Sequence, residues 1–286
     1  MSKKLRVLNL GAGVQSTTLY LWAVDGLLDI DVAIFADTGD EPQMVYDHLE
    51  FLKSLDGPAI EVVRASDVSL GDNQKIGMCI SSRGRPRHIG IPVYLKHPDG
   101  SQVGNTKREC TSEYKIEPIH KRIRELIGLG KYKRAKEVMV TQIFGLSFDE
   151  PRRVANVKAN ATRHSWSEPE FPLFDEFMTR ADCVRWLEKR LPDRKVPRSA
   201  CVFCPYKSDA EWVLLRDHHP NEWARAVEVD KILRDPTAVA TECIRLPQFL
   251  HRSCVPLDQV EFKPKTPDRQ KAIDFTNMDC EGMCGV

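Results

Sequence analysis

Apolar residues fall in short runs between polar turns, and the period of those runs changes along the chain. Val7-Leu8-Asn9-Leu10 and Val32-Ala33-Ile34-Phe35-Ala36 are near-continuous apolar stretches, the pattern of strands buried on both faces. Ala59-Ile60-Glu61-Val62-Val63 and Val138-Met139-Val140-Thr141-Gln142-Ile143-Phe144 predict two more strands. Between them the period lengthens. Val45, Leu49, Leu52 and Leu55 recur near helical spacing over 45–55, and Ile119, Ile123 and Leu126 mark a helix over 116–126. Another helix is expected over 180–191, then a helix-rich, Trp-containing region to about residue 235 and an irregular tail. Strand and helix alternate, which predicts an α/β fold with a doubly wound parallel sheet.

Length changes that picture only by adding room. A chain of 286 residues accommodates a nucleotide-binding α/β domain over 1–195 and a helical, cysteine-bearing C-terminal extension over 196–286. Residues 69–107 break the pattern and read as an irregular lid or loop containing Ser81-Ser82-Arg83-Gly84-Arg85-Pro86-Arg87-His88. Its cations suit a phosphate, a sulfate or a nucleic-acid backbone, or simply form a solvated basic loop. The formal net charge of +1 gives no global nucleic-acid signature. No run of 18 apolar residues is present, so no membrane span is expected. The start, Met1-Ser2-Lys3-Lys4, leads into a strand without a signal-like apolar region, which points to the cytoplasm. Nine cysteines in that setting are expected to be reduced, metal-binding or catalytic.

The chemistry begins where the first strand ends. Gly11-Ala12-Gly13-Val14-Gln15-Ser16-Thr17-Thr18 makes a side-chain-poor turn into a helix, where free N–H groups and the helix dipole attract phosphate. No Gly-Lys-Ser/Thr follows, so it is not a Walker loop, and the GxGxxG fingerprint is incomplete. The second strand ends in Asp37-Thr38-Gly39-Asp40-Glu41-Pro42, at the carboxyl edge where parallel sheets bind ligands. Asp40 is also placed to cap a helix beginning near Pro42.

These segments carry a resemblance. The glycine turn resembles the SGGxDS pyrophosphate loop of the PP-loop superfamily, which includes ATP pyrophosphatases and the adenylylsulfate and phosphoadenylylsulfate (PAPS) reductases. Phe35-Ala36-Asp37-Thr38-Gly39 is similar to that group's next nucleotide-contacting segment. Arg108-Glu109-Cys110-Thr111 through Lys115-Ile116-Glu117-Pro118 resembles the reductases' Arg-Cys-Cys block. Gly145-Leu146 through Asp149-Glu150-Pro151-Arg152-Arg153 resembles their Glu- and Arg-bearing block, and Cys201-Val202-Phe203-Cys204-Pro205 the CxxC of the iron–sulfur members. The five blocks keep the family's order over most of 7–212. Gly11, Ala12 and Gln15 stand where the family loop has Ser, Gly and Asp, Ser147 replaces an Arg, and one Cys110 replaces a Cys pair. Gln15 can hydrogen-bond a phosphate but carries no charge to orient a metal-bound pyrophosphate.

The resemblance implies an adenine nucleotide, ATP or adenylylsulfate/PAPS, held by Gly11, Ala12, Gly13, Gln15, Ser16, Thr17, Asp37, Thr38, Arg152 and Arg153. Mg²⁺ would neutralise its phosphates, and Arg108 and Lys115 would act on the reacting group. CxxC puts two thiolates on one turn. A 4Fe–4S cluster on Cys110, Cys201, Cys204 and Cys280 is one assignment. A structural zinc on Cys201, Cys204, Cys280 and Cys284 is another, and a metal-free Cys201/Cys204 redox pair a third. Cys284-Gly285 is similar to the reductases' nucleophilic tail Cys. Cys79, Cys183, Cys243 and Cys254 have no close partner in sequence and are expected to be buried, inert thiols.

Three functions remain open at this point. The first is ATP-dependent sulfur transfer, by adenylation then thiolation of a nucleic-acid or small-molecule acceptor, with a cysteine desulfurase as a candidate sulfur donor. The second is thioredoxin-dependent reduction of adenylylsulfate or PAPS by Cys284. The third is a non-catalytic nucleotide- or metal-binding module of a larger complex.

Overall fold

The computed structural model describes residues 3–79, 86–130 and 133–263. Strand β1 (Leu5–Leu10) leads through the glycine turn into α1 (Val14–Val24), followed by β2 (Val32–Asp37), α2 (Gln43–Lys53) and β3 (Ala59–Arg64). Helix α3 (Leu70–Ile76) and four short strands follow: β4 (Met78–Cys79), β5 (Pro86–Arg87), β6 (Tyr94–Lys96) and β7 (Gln102–Asn105). A wide π-type turn at Ser112–Ile116 opens into α4 (Glu117–Leu126) and then β8 (Val140–Phe144). Next come α5 (Pro151–Ala161), β9 (Ser167–Glu170), the short α6 (Pro172–Asp175) and α7 (Arg180–Arg190). The chain closes through α8 (Asp209–His218), α9 (Pro220–Ile232), α10 (Val239–Cys243) and β10 (Gln248–Phe249).

Five strands form one parallel sheet in the order β3-β2-β1-β8-β9. Strand alternation sends Leu8, Leu10, Ala33 and Phe35 to one face, under α1, α2 and α7. Val7, Val32, Ile34 and Ala36 meet Ile119 and Ile123 of α4 on the other. Helices thus flank both faces, and the chain has the α/β class with a Rossmann-like, doubly wound parallel sheet. Helix starts follow local chemistry. Thr179 and Ser208 form capping boxes with Asp182 and Glu211, each contributing about 1 kcal/mol. Pro118, Pro151 and Pro220 occupy first-turn positions where no N–H is required.

The described residues of 69–107 carry more regular structure than their sequence pattern predicts. β6 pairs antiparallel with both β7 and β10, so this segment and the end of the chain share a small sheet. They also share a core: Leu70, Ile89, Ile91 and Tyr114 pack with Phe203, Trp212, Val229 and Leu250. In sequence the expected extension begins at residue 196, whereas in space its core takes in residues from before β8. Arg83 and Arg85 of the basic run lie outside the described residues. No described helix is long and apolar enough to cross a membrane.

Candidate nucleotide site and thiol cavity

From β1 the chain steps outward to β2 and β3, then returns to lay β8 on the other side of β1. That reversal opens a crevice at the carboxyl ends of β1 and β8, where doubly wound sheets bind ligands. A cavity of about 610 Å³ occupies it. Gly11, Gly13, Gln15 and Ser16 line its floor, Gly145 and Leu146 one wall, and Lys115, Arg152, Arg153, Arg180 and Arg198 supply cations. Three helices, α1, α5 and α7, begin at its edge. First-turn amides have no intrahelical partner, so each contributes partial positive charge.

The glycine turn closes on its own helix. Ser16 Oγ accepts from the N–H groups of Gly11 (3.2 Å) and Gly13 (3.3 Å), while Ala12 takes a left-handed conformation with φ 54°. Gln15 Nε2 donates to Ser147 Oγ (3.2 Å) and to Glu150 Oε2 (3.0 Å). The same Glu150 oxygen accepts from the Ser147 N–H, and Glu150 Oε1 accepts from Arg153 Nη1. Glu150 therefore ties the β8–α5 loop to α1.

The expected nucleotide residues divide into two groups. Gly11, Gly13, Gln15, Ser16, Arg152 and Arg153 line the cavity together. Ala12 and Thr17 are fully buried, with Thr17 Oγ1 3.0 Å from His48 Nε2. Asp37 is engaged by Arg64, Tyr46 and the Gly39 N–H, and Thr38 faces the thiols described below. Asp40 does not cap α2. Its carboxylate accepts from Gly71 N–H and Arg225 Nε, because a chain segment distant in sequence arrives with a donor. Asp149, Glu150, Arg180 and Arg198 were not singled out as site residues from sequence. Glu150 lies inside the quoted Gly145–Arg153 block, and Arg180 follows a Thr179–Asp182 capping box, the mark of a helix start.

Gly145 is the tightest point of the site. A Cβ there would meet Ser16 N at 2.9 Å and Ser16 Cα at 3.1 Å, both backbone atoms. Gly145→Ala is expected to push the first turn of α1 off β8, lowering stability by about 1–3 kcal/mol. Calorimetric ATP titration beside a thermal melt checks it: affinity should fall at least about tenfold, and unchanged affinity would refute the constraint.

A second, smaller cavity adjoins the first. Arg108, Cys110, Lys115, Cys201 and Cys204 line it, with apolar walls from Leu70, Ile91 and Phe203. Cys201 Sγ lies 3.3 Å from Thr38 Oγ1 and 3.9 Å from Glu41 Oε1, and Lys115 Nζ donates to that same Glu41 oxygen at 3.1 Å. Burial, reinforced by the Glu41 carboxylate, holds the Cys201 thiol well above its ordinary pKa. Burial also raises that of Cys110, against the pull of Arg108. Arg108 itself donates to Thr111 Oγ1 at 2.6 Å. Cys183 and Cys254 are buried as expected, but Cys243 is exposed because it ends the short helix α10. Cys280 and Cys284 lie outside the described residues.

No family model matches the chain, and no curated protein or solved structure matches it. Among the described residues, no three His, Cys, Asp or Glu side chains are grouped closely enough to hold a metal ion. Cys110, Cys201 and Cys204 nonetheless line one cavity, with Arg108 and Lys115 beside them.

Proposed function

We propose that this chain is a PP-loop enzyme that binds an adenine nucleotide in the larger cavity and carries out sulfur chemistry at the smaller one. A single observation carries the reading: Lys115 lines both cavities. Its ammonium bridges the phosphate region and the Glu41–Cys201 contact, so charge on a nucleotide is felt at the thiols. The α1 amides, Arg152 and Arg153 would hold the phosphates, with Mg²⁺ neutralising the remainder. An acceptor oxygen would attack the α-phosphate, pyrophosphate would leave, and sulfur would then displace AMP. Cys110, Cys201 and Cys204 would provide three ligands of a 4Fe–4S cluster, with Cys280 as the fourth. When bound, such a cluster, thiolate-ligated at every iron, would supply one-electron redox chemistry beside the nucleotide.

Anaerobic purification followed by iron, zinc and sulfide analysis tests the centre, and release of AMP and pyrophosphate from ATP tests the nucleotide chemistry. About four irons per chain, lost in Cys201→Ala, are expected. Lys115→Ala should retain its iron and lose roughly 10²–10³ in turnover, the usual cost of removing one preorganised transition-state donor. Sulfite release from adenylylsulfate, dependent on Cys284 and thioredoxin, would redirect the reading to a reductase. Colourless protein with one zinc and no AMP release would overturn it in favour of a binding module.

A further inference from the structure

Phe177 is costly by two independent measures. It sits just past the end of α6, where its N–H donates to Phe174 O (3.2 Å) and the Met178 N–H to Leu173 O (2.9 Å). That helix-ending arrangement requires a left-handed residue and ordinarily takes glycine. Here the position is a phenylalanine at φ 55°. Its ring is also 72% exposed, so burial in the chain does not offset the backbone strain. The ring lies 5.2 Å from that of Phe148, which is 41% exposed and in turn 5.3 Å from Phe174. Three phenylalanines thus form one stepped shelf, neighbouring rings tilted by 43° and 60°, with Phe148 and Phe177 its exposed members.

The shelf is joined to the phosphate cavity. The Phe148 N–H donates to Met178 O at 2.7 Å, and the next residues along, Asp149 and Arg180, are linked by an Arg180 N–H bond to Asp149 Oδ1 at 3.2 Å. Asp149, Arg152 and Arg180 line the cavity. Among the described residues neither Arg152 nor Arg180 has an ion-pair partner. The exposed Phe148 and Phe177 next to the Arg180 guanidinium, which the nucleotide reading leaves unassigned, match an unstacked nucleobase attached to a phosphate chain, because every base offers a π-face and every linkage a charge. A purely apolar partner would leave that cation unused.

We infer that the Phe148–Phe174–Phe177 shelf stacks an unpaired base of a single-stranded nucleic acid, whose backbone is met by Arg180. This rests on the nucleotide reading above and names its acceptor: a strand laid across the shelf presents a base or phosphate oxygen to the α-phosphate.

The test uses full-length protein and fluorescein-labelled single-stranded DNA, single-stranded RNA and a duplex of equal length, followed by anisotropy, with ATP affinity and melting temperature measured alongside. Single strands should bind better than the duplex, with affinity falling as salt rises. DNA and RNA arms show which sugar is preferred. Phe148→Ala and Phe177→Gly should each weaken single-strand binding by about tenfold. Phe177→Gly relieves the strain, so its melting temperature should equal or exceed that of the wild type and its ATP affinity should be unchanged. Strand binding unaffected by Phe177→Gly, or a duplex bound as tightly, overturns the shelf. ATP binding without strand binding also overturns it and spares the nucleotide reading. Phe177-dependent strand binding without ATP binding does the reverse.

Discussion

Asp230→Ala is expected to unfold the smaller core and remove about 3–5 kcal/mol of stability. Asp230 sits on α9 and is fully buried. One carboxylate oxygen accepts from the Leu250 N–H at 3.0 Å, the other from the Leu257 N–H at 2.8 Å and from Arg234 Nη2 at 2.6 Å. Arg234 in turn donates to Gln248 O and lies over the Phe249 ring, so the pair holds β10 at both ends. Alanine leaves two buried amides and a guanidinium without their acceptor. Breaking a buried ion pair from one side typically costs the amount stated. Asp230→Asn keeps the shape but turns an N–H₂ toward a donor, and should cost about 1–3 kcal/mol. Urea unfolding followed by the fluorescence of Trp212 and Trp223, both in or against this core, reads the loss directly. Because Cys201, Cys204 and Cys110 border the same core, the variant should also lose its iron under the proposed reading. A loss below about 1 kcal/mol would mean that the β10 region folds without Asp230.

How much of this was visible in the sequence depends on where each residue finds its partner. The buried strands β1, β2 and β8 announce themselves by their apolar runs, the edge strand β3 shows as one despite its exposure, and the observed limits of all four differ from expectation by only a few residues. β9, with the sequence Ser-Glu-Pro-Glu, carries no such pattern. It is a strand because β8 offers an open edge and because Lys4 and Arg6 pair with Glu168 and Glu170. β6 was hidden for a related reason, since its partner β10 lies far along the chain and no local alternation marks the pairing. The glycine turn was legible from its small residues. What the sequence could not show was which polar residues are already committed. Asp37 is consumed by Arg64 and Tyr46, and Thr17 by His48, so neither faces the cavity. Glu150 and Arg180 gain their roles only because α5 and α7 begin at the same crevice as α1.

Stability is expected to fall as the pH drops from about 6.5 to about 4, because burial holds several histidines neutral, His48 and His120 most strongly. Burial lowers His48 from 6.5 to about 4, with Arg194 adding to the shift. Burial likewise lowers His120 to about 4, with His164 and then Arg124 as further causes. In the unfolded chain both protonate near 6.5, whereas the folded rings refuse the proton until about pH 4. Between those values the unfolded state binds more protons, so the stability present above pH 6.5 is progressively lost and the loss levels off near pH 4. Each shift corresponds to about 3 kcal/mol over that window. Urea unfolding at intervals from pH 7.5 to 4 reads the slope. His120→Phe, beside His164 and Trp166, should make it shallower. His48 acts beside the site, because it meets Thr17 on α1, one residue beyond the cavity-lining Ser16. A proton on His48 charges a buried ring beneath the glycine turn, so a pH dependence of stability should persist in His120→Phe. A pH-independent stability across that range would show that both rings are hydrated in the folded chain.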